Sequence, residues 1–462
     1  MIELNLQTGN NKTFLIDGKT ERTYKDLQIN INKMYEALLV KLSSEVIIVQ
    51  IIDRFQLAYT IFALGQLGST FLLINPKWSK SEIELVLNNT MAKQIITDNI
   101  DLLPLKEFGV DVLLVKDLLL AEVTQTSPNP IRLTGEVLMC TTGTTDEPKI
   151  VARTWEAIFS EVDAVIERLH YSEFDRIFCL AQWTHSLGFV LHLLSGIRVG
   201  ARLITVPTLC TPSSWIQVMK REEVTIVVGV PTFYSFLIQA PAINLKIKMG
   251  ISAGAALPRD IYENFKAKFY APLLQFYGCT EAGAITMQSP ENEAPYPSVG
   301  KHLENIQIRI VDEQGVPVNR GEIGFIRIKG KGMAHRMLHK GKFIPMDNEY
   351  ETGDQGMLTE ADTLIIMGRN KQRIKINGLS LHPGEIEKVL QQHPKIIEAV
   401  VIAENNERRG NSLVAYLRIE DNPPNELEIR TFCQERLAPY KIPHQYIFVK
   451  EFERDEKGQV KL

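Results

Sequence analysis

Short apolar runs alternate with segments of helical periodicity between residues 46 and 115, and this alternation constrains the fold more than any other feature of the sequence. The predicted strands are Val46–Ile52, Phe71–Ile74, Lys93–Thr97 and Val110–Val115, and the predicted helices are Phe55–Leu67 and Ser81–Leu87. Strands that alternate with helices form parallel sheets, because each crossover helix packs on a face of the sheet. The sequence therefore predicts an α/β fold.

The remainder of the chain divides into a large and a small part. The strand pattern resumes at Val224–Val230 and Ile247–Ser252, and short glycine-punctuated strands within residues 296–368 predict a β-rich subdomain. Two predicted helices and three predicted strands that follow form an independent α+β unit. We therefore predict a large N-terminal domain of stacked mixed and parallel sheets with helices (1–369), a hinge (370–373) and a small, mobile α+β C-terminal domain (374–462).

Charge balance and cysteine distribution disfavour several classes of function. The chain has 51 Lys and Arg against 55 Asp and Glu, a net charge of −4, and no basic block, so we expect no nucleic-acid partner. It has no charged-then-apolar leader and no run of 18 apolar residues, so we expect no membrane partner. Five scattered cysteines without metal-site spacing favour reduced thiols and a cytoplasmic location.

A loop rich in hydroxyl groups spans residues 139–150 and reads Met-Cys-Thr-Thr-Gly-Thr-Thr-Asp-Glu-Pro-Lys-Ile. Gly143 lets the backbone approach a polyphosphate, and Lys149 supplies a positive charge. The hydroxyl donors are Thr141, Thr142, Thr144 and Thr145. The spacing does not fit the phosphate loop of P-loop nucleotidases, and by itself such a stretch is as often a solvated turn. The loop becomes more specific evidence of a nucleotide site in combination with three short motifs later in the sequence.

Those blocks are Tyr277-Gly278-Cys279-Thr280-Glu281, Thr352-Gly353-Asp354 and Gly368-Arg369. In this order and spacing, the four blocks resemble the adenylate-forming superfamily of acyl-CoA ligases, adenylation domains and luciferases, from about residue 20 to the end. The loop departs from the family pattern, because Thr142 replaces a serine and Asp146 and Ile150 replace glycines. The resemblance implies that ATP and Mg²⁺ activate a small carboxylic acid to an acyl-adenylate, which then passes to the thiol of coenzyme A or of a carrier-protein phosphopantetheine.

The resemblance also assigns the nucleotide contacts. Glu281 would be the Mg²⁺ ligand, since hard cations take carboxylates, although Thr280-Glu281 also fits an ordinary helix start. By the same resemblance Thr280 contacts the α-phosphate, Tyr277 stacks on adenine and Gln275 reads its amino group. Further contacts come from the backbone of Gly254, Ala255 and Ala256 to the base, and from Asp354 and Arg369 to the ribose. By themselves, Gly254-Ala255-Ala256 and Thr352-Gly353-Asp354 also fit ordinary turns.

The C-terminal part contains one departure from the family pattern. By resemblance, Lys371 is the hinge residue, and Lys375 and Gly378 belong to the loop that enters the site after rotation, beside the thiol tunnel. Gln459 follows Gly458 where relatives carry the lysine that bridges the carboxylate and the α-phosphate. Either Lys457 or Lys461 substitutes for it, or adenylation is natively weak, or position 459 was altered. The predicted catalytic set is Thr142, Lys149, His185, Thr280, Glu281, Lys375 and Gln459.

The acyl pocket of relatives corresponds to three stretches of this chain. The residues predicted to line it are Trp183, His185, Phe189, Gly229, Val230 and Ser252. No acidic residue occurs in 183–188, so a buried substrate ammonium would lack a partner, and we expect a non-amino acid with an aryl or medium acyl chain. In relatives the histidine gates the pocket, but a lone histidine is as often a core residue.

Two functions from different classes therefore remain open. The first is an AMP-forming acid–thiol ligase. The second is an acyl- or nucleotide-binding homologue whose adenylation step is weakened or lost through Gln459. The ligase is favoured by the retention of Thr280, Glu281, Asp354, Arg369 and Lys375.

Overall fold

The computed structural model describes residues 1–6, 11–78, 80–120, 130–141, 149–207, 210–240, 245–291, 293–339, 341–369, 374–376, 379–381, 383–406, 410–419, 423–437, 441–454 and 460–461. Within these segments the chain forms a mixed α/β fold with a large N-terminal domain and a small C-terminal domain, as the sequence predicts.

The alternating segment builds the first sheet. Among the described residues it has eight strands, in the spatial order Lys342–Pro345, Arg336–His339, Lys149–Thr154, Glu136–Thr141, Thr70–Leu73, Val46–Gln50, Gln94–Thr97 and Asp111–Leu114. The five strands from Glu136–Thr141 to Asp111–Leu114 pair in parallel. All five side chains of Val46–Gln50 are buried, as expected for a strand covered on both faces. The predicted parallel sheet is confirmed.

The second sheet has nine described strands. Their spatial order is Lys301–His302, Gly283–Met287, Leu273–Cys279, Met249–Ser252, Ile226–Gly229, Arg176–Cys179, Arg202–Thr205, Thr13–Asp17 and Thr20–Thr23. Neighbouring strands from Leu273–Cys279 to Thr13–Asp17 run parallel, so their carboxyl ends lie at one edge of the sheet.

Helices lie between and around the two sheets. The described α-helices of the large domain are Tyr24–Leu39, Arg54–Gln66, Lys80–Thr90, Val115–Leu118, Trp155–Leu169, Ser186–Gly188, Ser195–Val199, Pro212–Arg221, Pro231–Gln239 and Arg259–Phe269, with a 3₁₀ helix at Ile100–Phe108 and a π-helix at Phe189–Leu194. The largest hydrophobic cluster joins Val49 of the first sheet to Leu203 of the second through helical residues such as Trp155. The two sheets therefore share one core.

The β-rich region differs from the prediction, which placed it in one block at 296–368. Its four-stranded sheet contains Ile306–Val311, Gly324–Gly330, Tyr350–Leu358 and Leu364–Arg369. The hairpin at residues 336–345 instead pairs with Lys149–Thr154 at the edge of the first sheet. Leu338 and Phe343 of the hairpin pack on the hydrophobic cluster of that sheet, which explains why the hairpin leaves the subdomain.

The small domain has a hydrophobic cluster of its own, formed by buried residues between Ile386 and Tyr446. It contains the strands Ile396–Asn406, Gly410–Ile419 and Gln445–Val449, the helices Pro383–Leu390 and Glu426–Gln434, and the short strand pairs Ile374–Ile376 with Leu379–Leu381 and Glu453–Arg454 with Val460–Lys461. Arg418 reaches Asp260 of the large domain at 3.2 Å. The predicted hinge lies outside the described residues, so its boundaries stay a prediction.

Within the described residues, no helix combines the length and the apolar character needed to cross a bilayer.

Candidate active site

The carboxyl edge of the second sheet carries residues of the predicted adenine and acyl sites. The parallel strands Ile226–Gly229, Met249–Ser252 and Leu273–Cys279 end there, and ligands of open α/β sheets bind at such edges. Gly254 follows in an exposed turn with φ +86°, a left-handed conformation that glycine adopts without strain. Val230 lies 3.5 Å from where a Gly254 Cβ would sit, so the turn adjoins the strand end at Gly229.

Tyr277 and Asp354 are in direct contact. The Tyr277 hydroxyl donates a hydrogen bond of 2.7 Å to Asp354 Oδ2, and the carboxylate is only 6% exposed. Burial and the neighbouring Asp354 carboxylate raise the pKa of Tyr277 well above its ordinary value, so the phenol stays protonated and donates. The two residues predicted to contact adenine and ribose therefore lie side by side.

Asp354 also faces the backbone of Arg369. The sequence suggested a turn at Asp354, but the residue lies within the strand Tyr350–Leu358, directly opposite Arg369 of Leu364–Arg369. Antiparallel pairing of the two strands makes the residues cross-strand neighbours. The structure describes only the backbone of Arg369.

Glu281 is held by a tyrosine that the sequence analysis missed. The Tyr350 hydroxyl donates a 2.8 Å hydrogen bond to Glu281 Oε1, and Glu281 is 7% exposed. Burial and then the Glu281 charge raise the pKa of Tyr350, so its hydroxyl remains a donor. Its place in the sequence could have identified it, because Tyr350 lies only two residues before the Thr352-Gly353-Asp354 block.

The threonine-rich segment lies between two paired strands. Its flanking residues Thr141 and Lys149 are partners in the adjacent antiparallel strands Glu136–Thr141 and Lys149–Thr154. Lys149 is exposed. The predicted phosphate contacts Thr142, Gly143, Thr144 and Thr145 lie outside the described residues, as do Lys371, Gly378 and Gln459. Only the backbone of Thr141 and Lys375 is described.

Gln275 makes hydrogen bonds inside the protein. Its side-chain nitrogen donates to the Ser298 carbonyl at 3.0 Å, and its backbone N–H donates to Gln288 at 2.7 Å. The residue is 5% exposed. Its predicted contact with adenine, and that of Thr280 with phosphate, stay predictions.

Two residues predicted to line the acyl pocket are buried in this structure. Trp183 and Phe189 are fully buried in the main hydrophobic cluster. Trp183 Nε1 donates a 3.1 Å hydrogen bond to His192 Nδ1. Burial lowers the pKa of His192 to about 3, which keeps that nitrogen an acceptor. The predicted contact of Trp183 and Phe189 with the acyl group stays a prediction.

A buried arginine missed from the sequence fixes the segment that leads to His185. Arg54 donates to the carbonyls of Leu180 and Ala181 at 3.2 and 3.1 Å, and its guanidinium carbon lies 5.4 Å from the Trp183 ring centre. His185 itself is exposed at the start of the helix Ser186–Gly188.

Two hydroxyls in the predicted pocket stretches lack hydrogen-bond partners in the described part of the chain. Thr184 Oγ1 and Ser252 Oγ belong to residues that are 4% and 2% exposed. A buried hydroxyl without a partner is unfavourable, so a bound ligand or water would improve its environment.

A cavity of about 790 Å³ lies elsewhere, between residues 287–301 and 359–365. Its lining includes Arg168, Glu293 and Lys301 and none of the predicted site residues. The clustered carboxylates and tyrosines, rather than the volume of a cavity, therefore define the candidate site.

The fold and this cluster define the class of protein. Residues 2–338 match the model of the AMP-binding enzyme family, and residues 385–459 match the model of its C-terminal domain. The chain belongs to the AMP-binding enzyme family. The resemblance to the adenylate-forming superfamily is thereby confirmed.

Three of the matching proteins are named as CoA ligases or synthetases. The chain is 25% identical over 494 aligned positions to 4-coumarate–CoA ligase 4 of Arabidopsis thaliana, covering 97% of this chain and 86% of the relative. Among solved structures, it is similar to the anthranilate CoA ligase AuaEII in complex with anthranoyl-AMP (TM-score 0.83, 23% identity, 97% and 92% coverage). It is also similar to o-succinylbenzoate coenzyme A synthetase of Bacillus subtilis in complex with AMP (TM-score 0.80, 25% identity, 98% and 95% coverage).

Proposed function

We propose that the protein is an AMP-forming acid–thiol ligase that activates an aromatic carboxylic acid and transfers it to coenzyme A. In the first step a carboxylate oxygen attacks the α-phosphorus of ATP and pyrophosphate leaves. In the second step a thiol attacks the acyl carbon and AMP leaves. The observation that carries the proposal is the contact of Tyr277 with Asp354, opposite Arg369, beside the Tyr350–Glu281 pair.

The nucleotide would bind along this cluster. A carboxylate accepts hydrogen bonds from both hydroxyls of a ribose, and Asp354 would take this role. The ring of Tyr277 offers an aromatic face to adenine. The exposed turn at Gly254 leaves room for the base, because an added Cβ there would meet only one atom, at 3.5 Å. Gln275, Ala255 and Ala256 would complete the adenine site.

Glu281 fits the requirement for a Mg²⁺ ligand. In nucleotide sites this ion is commonly held by one or two carboxylates together with phosphate oxygens and waters. Tyr350 contacts Oε1 of Glu281 and orients the carboxylate. A bound Mg²⁺ would supply neutralisation of phosphate charge. Thr280, Lys149 and the threonines from 141 to 145 would contact the phosphates.

An aromatic substrate is supported by two independent observations. The three relatives described above are named for 4-coumarate, anthranilate and o-succinylbenzoate. In this chain, residues 183–188 offer no carboxylate for a substrate ammonium, and the Thr184 and Ser252 hydroxyls are available for a polar ring substituent. His185, Gly229 and Val230 would line the entrance for the acid.

Coenzyme A is the preferred acceptor because the same relatives are named as CoA ligases. A carrier-protein phosphopantetheine presents the same thiol arm and remains the alternative. Lys375 and Gly378 would reach the thiol after the small domain rotates about Lys371. The large domain would end at residue 369 and the small domain would begin at residue 374. The reaction would take place in the cytoplasm.

A second candidate function follows from Gln459, which lacks the charge of the lysine in relatives. In this alternative the protein binds nucleotide and acid but forms little adenylate.

Thioester formation across a panel of acids tests the proposal. We expect ATP-dependent thioester with 4-coumarate, anthranilate or benzoate and CoA, and none with phenylalanine, because its ammonium would be unpaired. The measurement is mass spectrometry of the thioester, with a phosphopantetheinylated carrier protein as the competing acceptor. Nucleotide binding without turnover of any acid would favour the second candidate.

The Tyr350–Glu281 hydrogen bond provides a test of the Mg²⁺ assignment. Tyr350→Phe should raise the Mg²⁺ concentration needed for half-maximal nucleotide binding about threefold to fivefold, because Glu281 loses the donor that orients it. The measurement is calorimetry with a non-hydrolysable ATP analogue at graded Mg²⁺. Tyr262→Phe is a matched control, since it removes a 2.6 Å bond to Glu293 outside the site. Equal Mg²⁺ dependence in both variants would argue against the assignment.

A further inference from the structure

A buried ion pair lies behind the candidate site. Arg153 Nη2 and Glu161 Oε2 are 2.7 Å apart, and both side chains are completely inaccessible to solvent. Arg153 lies in the strand Lys149–Thr154, which begins directly after the threonine-rich loop. Glu161 lies on the buried face of the helix Trp155–Leu169. The pair therefore joins the phosphate-loop strand to the helix that follows it.

Glu161 also holds the segment immediately after Glu281. Its Oε1 accepts a 2.6 Å hydrogen bond from the backbone N–H of Ala284. A Cβ on Gly283 would lie 2.1 Å from Glu161 Oε2, so glycine is required for the carboxylate to approach this backbone. The acidic side chain thus fixes the backbone two and three residues beyond the proposed metal ligand.

Arg153 holds a second backbone segment, which contacts Glu281 directly. Its Nε donates a 2.9 Å hydrogen bond to the Gly332 carbonyl. Two residues further on, the Ala334 N–H donates a 2.7 Å hydrogen bond to the carbonyl of Glu281 itself. One ion pair is therefore attached to both backbone segments that bracket Glu281.

We propose that Arg153 and Glu161 are positioning residues that fix the Glu281 carboxylate relative to the strand Lys149–Thr154, which begins with the predicted phosphate contact Lys149. This inference rests on the proposed role of Glu281. The pair does not contact substrate, and it acts through the backbone at Ala284 and Gly332.

Stability alone is a poor explanation of the pair. Buried ion pairs can often be replaced by apolar residues of similar volume without loss of stability. This pair is also incompletely satisfied, because neither Nη atom of Arg153 makes a hydrogen bond of good geometry with the described residues, despite the 2.7 Å approach of Glu161. The proposed site requires Glu281 and the strand Lys149–Thr154 to keep a fixed relative position. This requirement gives a reason to retain the ion pair.

The test compares nucleotide binding with stability in two variants. The double variant Arg153→Met/Glu161→Leu removes both charges and both backbone contacts while filling the space. Glu161→Gln keeps an oxygen acceptor for Ala284 but removes the counter-charge of Arg153. Glu223→Gln is the control, since it breaks an exposed 2.8 Å pair with Arg176. The measurements are thermal unfolding and calorimetry of a non-hydrolysable ATP analogue with graded Mg²⁺, well below each unfolding temperature.

The double variant should stay folded at the assay temperature, although it should unfold at a lower temperature than the wild type because the Ala284 N–H and the Gly332 carbonyl lose their partners. It should nevertheless need at least fivefold more Mg²⁺ for half-maximal binding, while binding of the analogue in excess chelator changes less than twofold. Glu161→Gln should shift the Mg²⁺ requirement at least threefold, and the control should not. If neither variant folds, Arg153→Lys decides the question by the same Mg²⁺ titration, because it keeps the buried positive charge and removes the Nε–H that donates to Gly332.

Folded variants with wild-type Mg²⁺ dependence would overturn this inference and leave the proposed function intact. A wild-type protein that binds no analogue at any Mg²⁺ concentration would contradict the proposed function instead. The two failures are therefore distinguishable.

Discussion

Gln459→Lys should raise the rate of acid-dependent pyrophosphate exchange by about 10²–10³-fold, the effect of one preorganised charged group on a transition state. The reason is that the relatives' lysine bridges the carboxylate and the α-phosphate, where a glutamine amide supplies a hydrogen bond but no charge. The effect should be confined to the first half-reaction, because rotation about Lys371 would carry residue 459 away before thiol attack. Exchange and thioester yield from a synthetic acyl-adenylate measure the two halves separately.

The flanking lysines provide the controls for this prediction. Lys457→Ala and Lys461→Ala should leave exchange by the Gln459→Lys variant nearly unchanged. If Gln459→Lys alters neither half-reaction while one of the alanine variants abolishes exchange, then a neighbouring lysine performs the role and position 459 is misassigned.

Asp354→Ala should weaken ATP binding at least tenfold, which corresponds to about 1.4 kcal/mol or more. The variant removes the acceptor proposed for the ribose hydroxyls and also leaves the Tyr277 hydroxyl without its 2.7 Å partner. Calorimetry with the ATP analogue measures the effect. Asp362→Ala is a suitable control, because Asp362 is a more exposed carboxylate in the same sheet region, paired with Arg320. Unchanged affinity in Asp354→Ala would refute the ribose assignment.

The parallel sheets could be predicted because each strand is marked by its own short run of apolar residues. The runs around Val46–Gln50 and Met249–Ser252 are apolar on both faces, and a strand covered on both sides has that composition.

Contacts between distant segments could not be predicted in this way. The hairpin at 336–345 joins the first sheet only because the strand Lys149–Thr154 offers an edge far away in sequence. Trp183 has the composition of a pocket residue, and its burial depends on packing against Arg54 and His192. The Arg153–Glu161 pair is invisible in sequence, since two charges eight positions apart in this region predict solvent exposure.

Within the candidate site, the motif residues could be identified from the sequence, but their hydrogen-bond partners and strand pairing could not. Glu281 and Asp354 were identified by motif, whereas Tyr350, which holds Glu281, belongs to no block singled out from the sequence. Asp354 was expected in a turn because Thr-Gly-Asp has turn composition, but pairing with Arg369 extends the strand through it.

The nucleotide product of acid-dependent ATP turnover tests the central claim most directly. The wild-type protein is incubated with ATP, Mg²⁺, CoA and the panel of aromatic acids, and the nucleotides are separated by chromatography. The proposed function predicts AMP and pyrophosphate in amounts equal to the acyl thioester. The Asp354→Ala variant should form far less of all three products at subsaturating ATP. Formation of ADP and phosphate, or thioester formation without AMP, would contradict it.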